Sequence, residues 1–162
     1  MKMQKAVFAA GCFWGVQYYF DQVPGVTKTT VGYTGGHTEN PTYDEVCAHN
    51  TGHAEAVVIE YDPEKISYET LLKQFFHMHD PTQLNRQGPD VGDNYRSAIF
   101  YFDDEQRKAA EAVRTATQKN AKKKIVTQIT PAGVFYEAEA YHQKFTERTG
   151  IGACHVPYEP IK

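Results

Sequence analysis

The stretch Gly11-Cys12-Phe13-Trp14-Gly15 decides how this chain is organised, because it lies where a short apolar run gives way to a helical pattern. Residues 5–10 predict a strand, and the apolar spacing from residue 16 to residue 23 predicts a helix that Pro24-Gly25 ends. Cys12 is therefore expected at a helix N-terminus, where free N–H groups and the helix dipole favour a thiolate. The motif predicts a nucleophile beside two aromatic faces that suit an apolar substrate group.

Two other interpretations of Cys12 have to be considered: a thiol of the apolar core, and the cysteine at the end of a bacterial lipoprotein signal. Free cysteine is among the most buried residue types, so the thiol could belong to the core. The apolar run before it covers only residues 6–10, which is shorter than the roughly 7–15 residues of an export signal. We therefore expect no exported or lipid-anchored form.

Length and composition limit the classes of protein to which the chain can belong. Its 162 residues predict a single domain over 1–162, and a net charge of -3 gives no reason to expect nucleic acid or a membrane surface as a partner. Nothing approaches the roughly 20 apolar residues of a membrane span, so we expect a cytosolic protein, and we expect a monomer. Three scattered cysteines without a C-x-x-C pair predict neither a disulfide framework nor a zinc ribbon.

Strand and helix patterns alternate along the rest of the chain. Together they predict an α+β fold, a two-layer sandwich with a ferredoxin-like split β-α-β core, a mostly antiparallel sheet and an irregular C-terminal tail. The tail, residues 149–162, is expected to be mobile and carries Cys154. The polar stretch 83–94 is long enough to predict a binding loop. The predicted strands are 26–33, 53–61, 95–102 and 125–130, with a possible extension at 134–136. The predicted helices are 43–48, one that starts at 68 and ends near 79–81, 104–122 and 137–148.

A nucleophilic cysteine needs a partner, and the sequence offers two kinds. If His53 or His142 acts as a base, the chain is a Cys-His hydrolase or acyl transferase. If Glu55 acts as an acid, the chemistry is one that delivers a proton to a leaving oxygen. A glutamate on a buried strand has its pKa raised by desolvation, although an ion pair with Arg96 would remove that effect.

A non-enzymatic alternative is a metal-binding module. Cys47 lies near three histidines, and these four side chains are potential metal ligands: His37, His49, His53 and Cys47. Their spacings match no zinc pattern, so no metal is expected.

Four blocks of the sequence together resemble the type A methionine sulfoxide reductase family. They span nearly the whole chain in order: Gly11-Cys12-Phe13-Trp14-Gly15; Tyr43 with Glu45-Val46-Cys47 and Thr51-Gly52-His53-Ala54-Glu55; Asn85-Arg86-Gln87-Gly88-Pro89-Asp90-Val91-Gly92 followed by Tyr95-Arg96-Ser97; and Tyr141-His142-Gln143.

The resemblance implies a role for each matching residue. Cys12 is the nucleophile and Glu55 the acid, while Cys47 is not required for turnover. The remaining implied roles are the hydroxyls on the sulfoxide oxygen (Tyr43 and Tyr95), the pocket for the substrate's S-methyl group (Phe13 and Trp14), an active-site carboxyl (Asp90) and the resolving thiol (Cys154).

The resemblance also implies the reaction. The S epimer of methionine sulfoxide, free or in proteins, is reduced by way of a Cys12 sulfenic acid and a Cys12–Cys154 disulfide, which thioredoxin recycles without any metal or organic cofactor. The chain departs from the family pattern at Pro89 and Asn94, and we expect neither departure to touch a catalytic group. The tail is shorter than in family members whose Gly-rich segment carries two cysteines, so it supports one resolving thiol.

Overall fold

Strands and helices alternate along the part of the chain that the computed structural model describes, residues 3–48 and 50–149. Cys154, His49 and most of the predicted tail lie outside these residues. The elements are β1 (Gln4–Ala10), α1 (Phe13–Asp21), β2 (Val26–Thr34), α2 (Tyr43–Cys47), β3 (Ala54–Tyr61), α3 (Tyr68–His77), β4 (Arg86–Gln87), β5 (Asp90–Val91), β6 (Ser97–Tyr101), α4 (Asp104–Gln118), β7 (Gln128–Pro131), β8 (Tyr136–Glu137) and α5 (Phe145–Thr149), with 3₁₀ turns at Asp93–Tyr95 and Ala140–His142.

The main sheet of the described residues has the strand order β7-β6-β1-β3-β2-β8. Every neighbouring pair is antiparallel except β6 and β7, which run parallel. The α+β fold with a mostly antiparallel sheet is therefore confirmed. Because β1 lies between β3 and β6, the residues that follow β1 emerge next to the first residues of both neighbours.

The two faces of the sheet bury different sets of side chains, as the alternation along a strand requires. Phe8 of β1 lies on the helix-covered face, where its ring packs against Phe20 at 5.7 Å and Phe75 at 5.0 Å between centroids. Val7 and Ala9 lie on the opposite face in a smaller apolar cluster. The sheet thus carries its helices on one side, which is the side that Glu55 faces with its strand neighbours Val57 and Ile59.

Side-chain caps fix the ends of the longer helices. Ser67 accepts a hydrogen bond from the backbone N–H of Thr70 at 3.1 Å, and Asp103 accepts one from that of Gln106 at 2.9 Å. The predicted end of the second of these helices at residue 122 is wrong, because α4 ends at Gln118. The Gln118 side chain accepts from the N–H of Ile125 at 2.8 Å and turns the chain away.

The helix predicted over 137–148 is also wrong. Tyr136–Glu137 instead forms β8, and a break separates the 3₁₀ turn from α5. In that break Lys144 has a positive φ of 59°, and the Gln143 side chain bonds both backbone groups of Val31 at 3.0 Å. These bonds to β2 hold the segment in a non-helical conformation, so a continuous helix cannot form there. Among the described residues, no helix has the length and apolar character needed to cross a membrane.

Candidate active site

Cys12 lies at the N-cap of α1, as the sequence predicted. Gly11 makes the approach possible with a φ of 97°, which residues with a side chain rarely adopt. The backbone N–H groups of Trp14 and Gly15, in the first helical turn, act to lower the pKa of the Cys12 thiol, although the Cys12 side chain forms no capping hydrogen bond.

The predicted lowering of the Cys12 pKa is wrong. Burial raises the pKa of the thiol well above its usual range, and the nearby carboxyls of Glu55 and Asp90 raise it further. The two helical N–H groups act in the opposite direction but are outweighed. The sulfur is therefore a thiol when no substrate is present, because its enclosure outweighs the helix terminus.

Glu55 is the most enclosed carboxyl of the site, with 1% of its surface exposed. Oε1 accepts a hydrogen bond from the backbone N–H of Phe13, and Oε2 accepts one from the Asn94 side chain, each at 3.2 Å. Burial outweighs these two bonds and raises the pKa of Glu55 to about 8, with a further contribution from Asp90. At neutral pH the side chain is a carboxylic acid, so its charge does not then act on Cys12.

No ion pair neutralises Glu55 within the described residues. The Arg96 guanidinium instead donates to the backbone oxygen of Asp93 at 2.9 Å and to the side chain of Gln128 at 3.1 Å. The alternative interpretation of Glu55 as the partner of Arg96 is not what the structure shows.

Asn94 touches the candidate acid, contrary to expectation. It is 0% exposed, and its amide nitrogen donates the 3.2 Å bond to Glu55. The bond lowers the pKa of Glu55, although burial prevails. The sequence marked this position only as a departure from the family pattern, and no local signal pointed it toward the site.

Tyr43 and Tyr95 both lie close enough to Cys47 to lower the pKa of its thiol. Burial, followed by the charge of Glu55, raises the pKa of each tyrosine above its usual range, so both remain donors. The structure therefore brings the two predicted tyrosines to the neighbourhood of Glu55 and Cys47.

Asp90 lies in β5, at the edge of the small hairpin that orders the predicted binding loop. Burial raises the pKa of its carboxyl. Its charge acts to raise the pKa of Cys12, Glu55 and Tyr95. The structure therefore brings this predicted site residue to the neighbourhood of the other candidate groups.

Four rings form an aromatic box next to the thiol: Phe13, Trp14, Tyr43 and His142. Phe13 is fully buried, and its centroid lies 6.3 Å from that of Tyr43 and 5.3 Å from that of His142. Trp14 lies 6.2 Å from Tyr43 and stacks on Phe145 at 4.1 Å. The partly buried rings of Trp14 and Tyr43 give this cluster an apolar surface, next in the sequence to Cys12.

Glu139 supports the box and was missed by the sequence analysis. Its Oε1 accepts from the Tyr33 hydroxyl at 2.9 Å, and its Oε2 accepts from the backbone N–H of Tyr43 at 3.1 Å. The carboxyl thereby fixes the start of α2. It lies 96 positions from Tyr43, so no local pattern could have indicated the contact.

Neither candidate histidine is bonded to Cys12 in the described structure. Nδ1 of His53 accepts from the N–H of Gly36 at 3.0 Å, and its Nε2 donates to the backbone oxygen of Thr38 at 2.7 Å. Nδ1 of His142 accepts from Trp14 at 2.9 Å. The geometry therefore favours the carboxylic acid over a histidine as the partner of the thiol.

The described residues contain no group of three His, Cys, Asp or Glu side chains placed to hold a metal ion. His49, one member of the proposed metal-binding set, falls outside them. The role of Cys154 stays a prediction for the same reason.

Comparisons with known proteins agree with this geometry. The family model described as peptide methionine sulfoxide reductase matches residues 4–162. A peptide methionine sulfoxide reductase MsrA from Methanothermobacter thermautotrophicus is 53% identical over 157 residues, which cover 96% of this chain and 93% of the relative.

Two solved structures of Mxr1 from Saccharomyces cerevisiae are similar as well. The reduced form superposes with a TM-score of 0.92 at 32% identity, covering 98% of this chain and 93% of that one. Mxr1 in complex with Trx2 gives a TM-score of 0.64 at 26% identity, covering 89% and 85%. With its thiol, its buried acid and these likenesses, the chain belongs to the type A peptide methionine sulfoxide reductase family.

Proposed function

We propose that this protein is a peptide-methionine (S)-S-oxide reductase that acts on the S epimer of methionine sulfoxide, free or in proteins. The observation that carries the proposal is that the buried carboxylic acid of Glu55, on β3, lies at the N-terminal end of α1, the helix that Cys12 begins. Glu55 accepts from the N–H of Phe13, the residue next to Cys12, and its pKa of about 8 keeps it protonated at neutral pH.

The reductive step needs both groups in their protonated resting forms. The Cys12 sulfur attacks the sulfoxide sulfur and forms a sulfur–sulfur bond as Glu55 delivers its proton to the sulfoxide oxygen. The resulting hydroxyl group then passes to the Cys12 sulfur, the sulfur–sulfur bond and the original sulfur–oxygen bond break, and methionine leaves. Cys12 becomes a sulfenic acid, so its sulfur is oxidised by two electrons and the substrate sulfur is reduced by two. The proton that the thiol loses replaces the one that Glu55 gave, and the balance closes without any other reactant.

The surroundings favour this order of events. A charged Glu55 is disfavoured by burial, so the acid gives up its proton only when the sulfoxide oxygen accepts it. The hydroxyls of Tyr43 and Tyr95, whose pKa values are raised by burial, are the donors available to the same oxygen. The aromatic box receives the S-methyl group and keeps water from the reacting sulfur atoms.

Recycling is the second part of the proposal. The sulfenic acid condenses with the thiol of Cys154, and an external dithiol then reduces the disulfide by exchange. The yeast relative solved in complex with Trx2 supports a thioredoxin as that dithiol. Thiols supply every electron, so the proposed cycle uses neither a metal nor an organic cofactor. We propose that the protein acts as a monomer and that it works in the cytosol, where reduced dithiols are available.

A single-turnover assay tests the proposal. Reduced protein is mixed with methionine sulfoxide in the absence of a reductant, and the methionine formed per chain is counted. We expect about one equivalent from the wild type and none from Cys12→Ser, because one thiol supplies one electron pair. Methionine formation by a folded Cys12→Ser variant would overturn the mechanism.

A further inference from the structure

A cavity of about 760 Å³ lies on the face of the sheet opposite the helices. Phe100, which lines it, belongs with Val7 and Ala9 to the apolar cluster of that face. The chain crosses this face between the edge strands β7 and β8, and Ala132 and Phe135 of the crossing pack on the same cluster. The volume is within the roughly 300–1,000 Å³ of small-molecule sites. We call it the back cavity, and its lining includes Gly35, Glu39, Arg96, Phe100, Gln128 and Val134.

The Arg96 guanidinium brings a permanent positive charge to the back cavity. Its Nε donates to the Gln128 side chain at 3.1 Å, and its Nη1 donates to the backbone oxygen of Asp93 at 2.9 Å. A guanidinium has five N–H groups, so three of them stay available to a ligand. Burial lowers the pKa of Arg96, although the charge of Asp93 acts in the opposite direction. No ion pair within the described chain neutralises this half-buried cation, and a bound anion would do so.

Gly35 allows the backbone to support the guanidinium. Its φ is 86°, and a Cβ at this position would lie 2.9 Å from Nη2 of Arg96. The two hydrogen bonds hold the other side of the same group. The donors of Arg96 are therefore fixed in place before any ligand arrives, which lowers the entropy that binding costs.

The remaining lining indicates which anion fits. The walls carry apolar side chains, among them Ile129, Pro131 and Val134. Glu39 is exposed and adds a negative charge at the rim. One fixed cation beside a rim carboxylate favours a ligand with a single negative charge over a dianion. The planar fork of a guanidinium matches the two oxygens of a carboxylate.

We propose that the back cavity is a binding site for a small monocarboxylate with an apolar body, held by the free N–H groups of Arg96. Neither Cys12 nor Glu55 lines the cavity, so this inference does not depend on the proposed function. The same guanidinium bonds the 3₁₀ turn Asp93–Tyr95 through the oxygen of Asp93. The ligand therefore contacts a side chain that also supports the turn from which Asn94 reaches Glu55.

An NMR titration of the reduced, full-length, nitrogen-15-labelled protein tests the proposal. Benzoate supplies a carboxylate on an apolar ring, and benzamide has nearly the same shape without the charge. We expect benzoate to bind about 10-fold more tightly than benzamide and to shift the resonances of Gly35 and Gly133, because hydrogen bonds to charged groups are the stronger ones. Equal affinities, or no shifts at millimolar benzoate, would overturn the proposal.

Removing the cation is the first variant test. Arg96→Gln should weaken benzoate binding about 10-fold. Arg107→Gln is the matched control, because it removes a guanidinium of α4 that is already paired with Asp104 and Glu111. Unchanged affinity in Arg96→Gln, or an equal loss in both variants, would contradict the role of Arg96.

Filling the cavity is a second test that leaves Arg96 and its hydrogen bonds in place. Gly133 lines the back cavity, and a Cβ added there would meet no atom within 4 Å, so a larger side chain can be introduced without strain. Gly133→Trp should abolish benzoate binding, whereas Gly133→Ala should keep it. Full affinity in Gly133→Trp would locate benzoate elsewhere and overturn the proposal.

Two comparisons test the choice of a monocarboxylate. Glu39→Gln removes the rim charge from an exposed position, so benzoate should bind about 2-fold more tightly, and weaker binding would contradict the arrangement. Inorganic phosphate is the competing anion. We expect it to bind more weakly than benzoate, and tighter binding that Gly133→Trp abolishes would assign the cavity to phosphate and overturn the choice of a carboxylate.

Discussion

Replacing Glu55 by glutamine tests whether the folded protein keeps this side chain protonated at neutral pH. Burial raises the pKa of Glu55 from its ordinary 4.5 to about 8. Below the ordinary value both the folded and the unfolded chain hold the proton, and the stability associated with this group is fully present. As the pH rises toward 8, the unfolded chain releases the proton while the folded chain keeps it, so the free energy of unfolding falls.

The size of this effect follows from the two pKa values. One pKa unit corresponds to about 1.36 kcal/mol, and integration from pH 5 to pH 8 gives a loss of about 3.5 kcal/mol for the wild type. Glutamine has no proton to release, so Glu55→Gln lacks this loss. Its amide also faces the side chain of Asn94, which changes stability by an amount that is the same at every pH and cancels in the comparison.

Urea unfolding of the wild type and of Glu55→Gln at unit pH steps measures the difference. The variant should gain about 3.5 kcal/mol on the wild type between pH 5 and pH 8, while Glu60→Gln on the same strand controls for the loss of a carboxyl as such. Parallel curves for wild type and Glu55→Gln would refute the argument, since they would mean that Glu55 is ionised in the folded protein.

Two further predictions concern the site. Asn94→Ala removes the hydrogen bond that lowers the pKa of Glu55; the pH at which single-turnover reduction declines should therefore move from about 8 to a higher value, and a shift to lower pH would contradict the contact. Cys154→Ser should still form about one methionine per chain in a first turnover but should lose recycling by thioredoxin, and a normal steady-state rate with thioredoxin would exclude Cys154 as the resolving thiol.

Local signals in the sequence were sufficient for the elements that carry the site. The turn at Gly11 and the apolar spacing after it placed Cys12 at the start of α1, and Ser67 and Asp103 marked the caps of α3 and α4. The burial of Glu55 followed from its apolar strand neighbours. These features depend on residues close together in the chain, where periodicity and capping have direct physical causes.

Features that depend on distant residues could not be found in this way. The pKa of Cys12 is decided by burial and by carboxyls 43 and 78 positions away, which outweigh the local effect of the helix terminus. The helix predicted over 137–148 failed because the backbone of Val31 in β2 bonds the side chain of Gln143. Asn94 reaches Glu55 across 39 positions. In each case tertiary packing overrides a local preference.

Incubation of the protein with racemic methionine sulfoxide and excess dithiothreitol, followed by chiral separation of the remaining sulfoxide, tests the central claim most directly. The proposed reaction between the Cys12 sulfur and a sulfoxide held by Glu55 predicts that the S diastereomer disappears, that methionine forms in equal amount, and that the R diastereomer remains. If both diastereomers persist, or if the R form is consumed instead, the account is wrong.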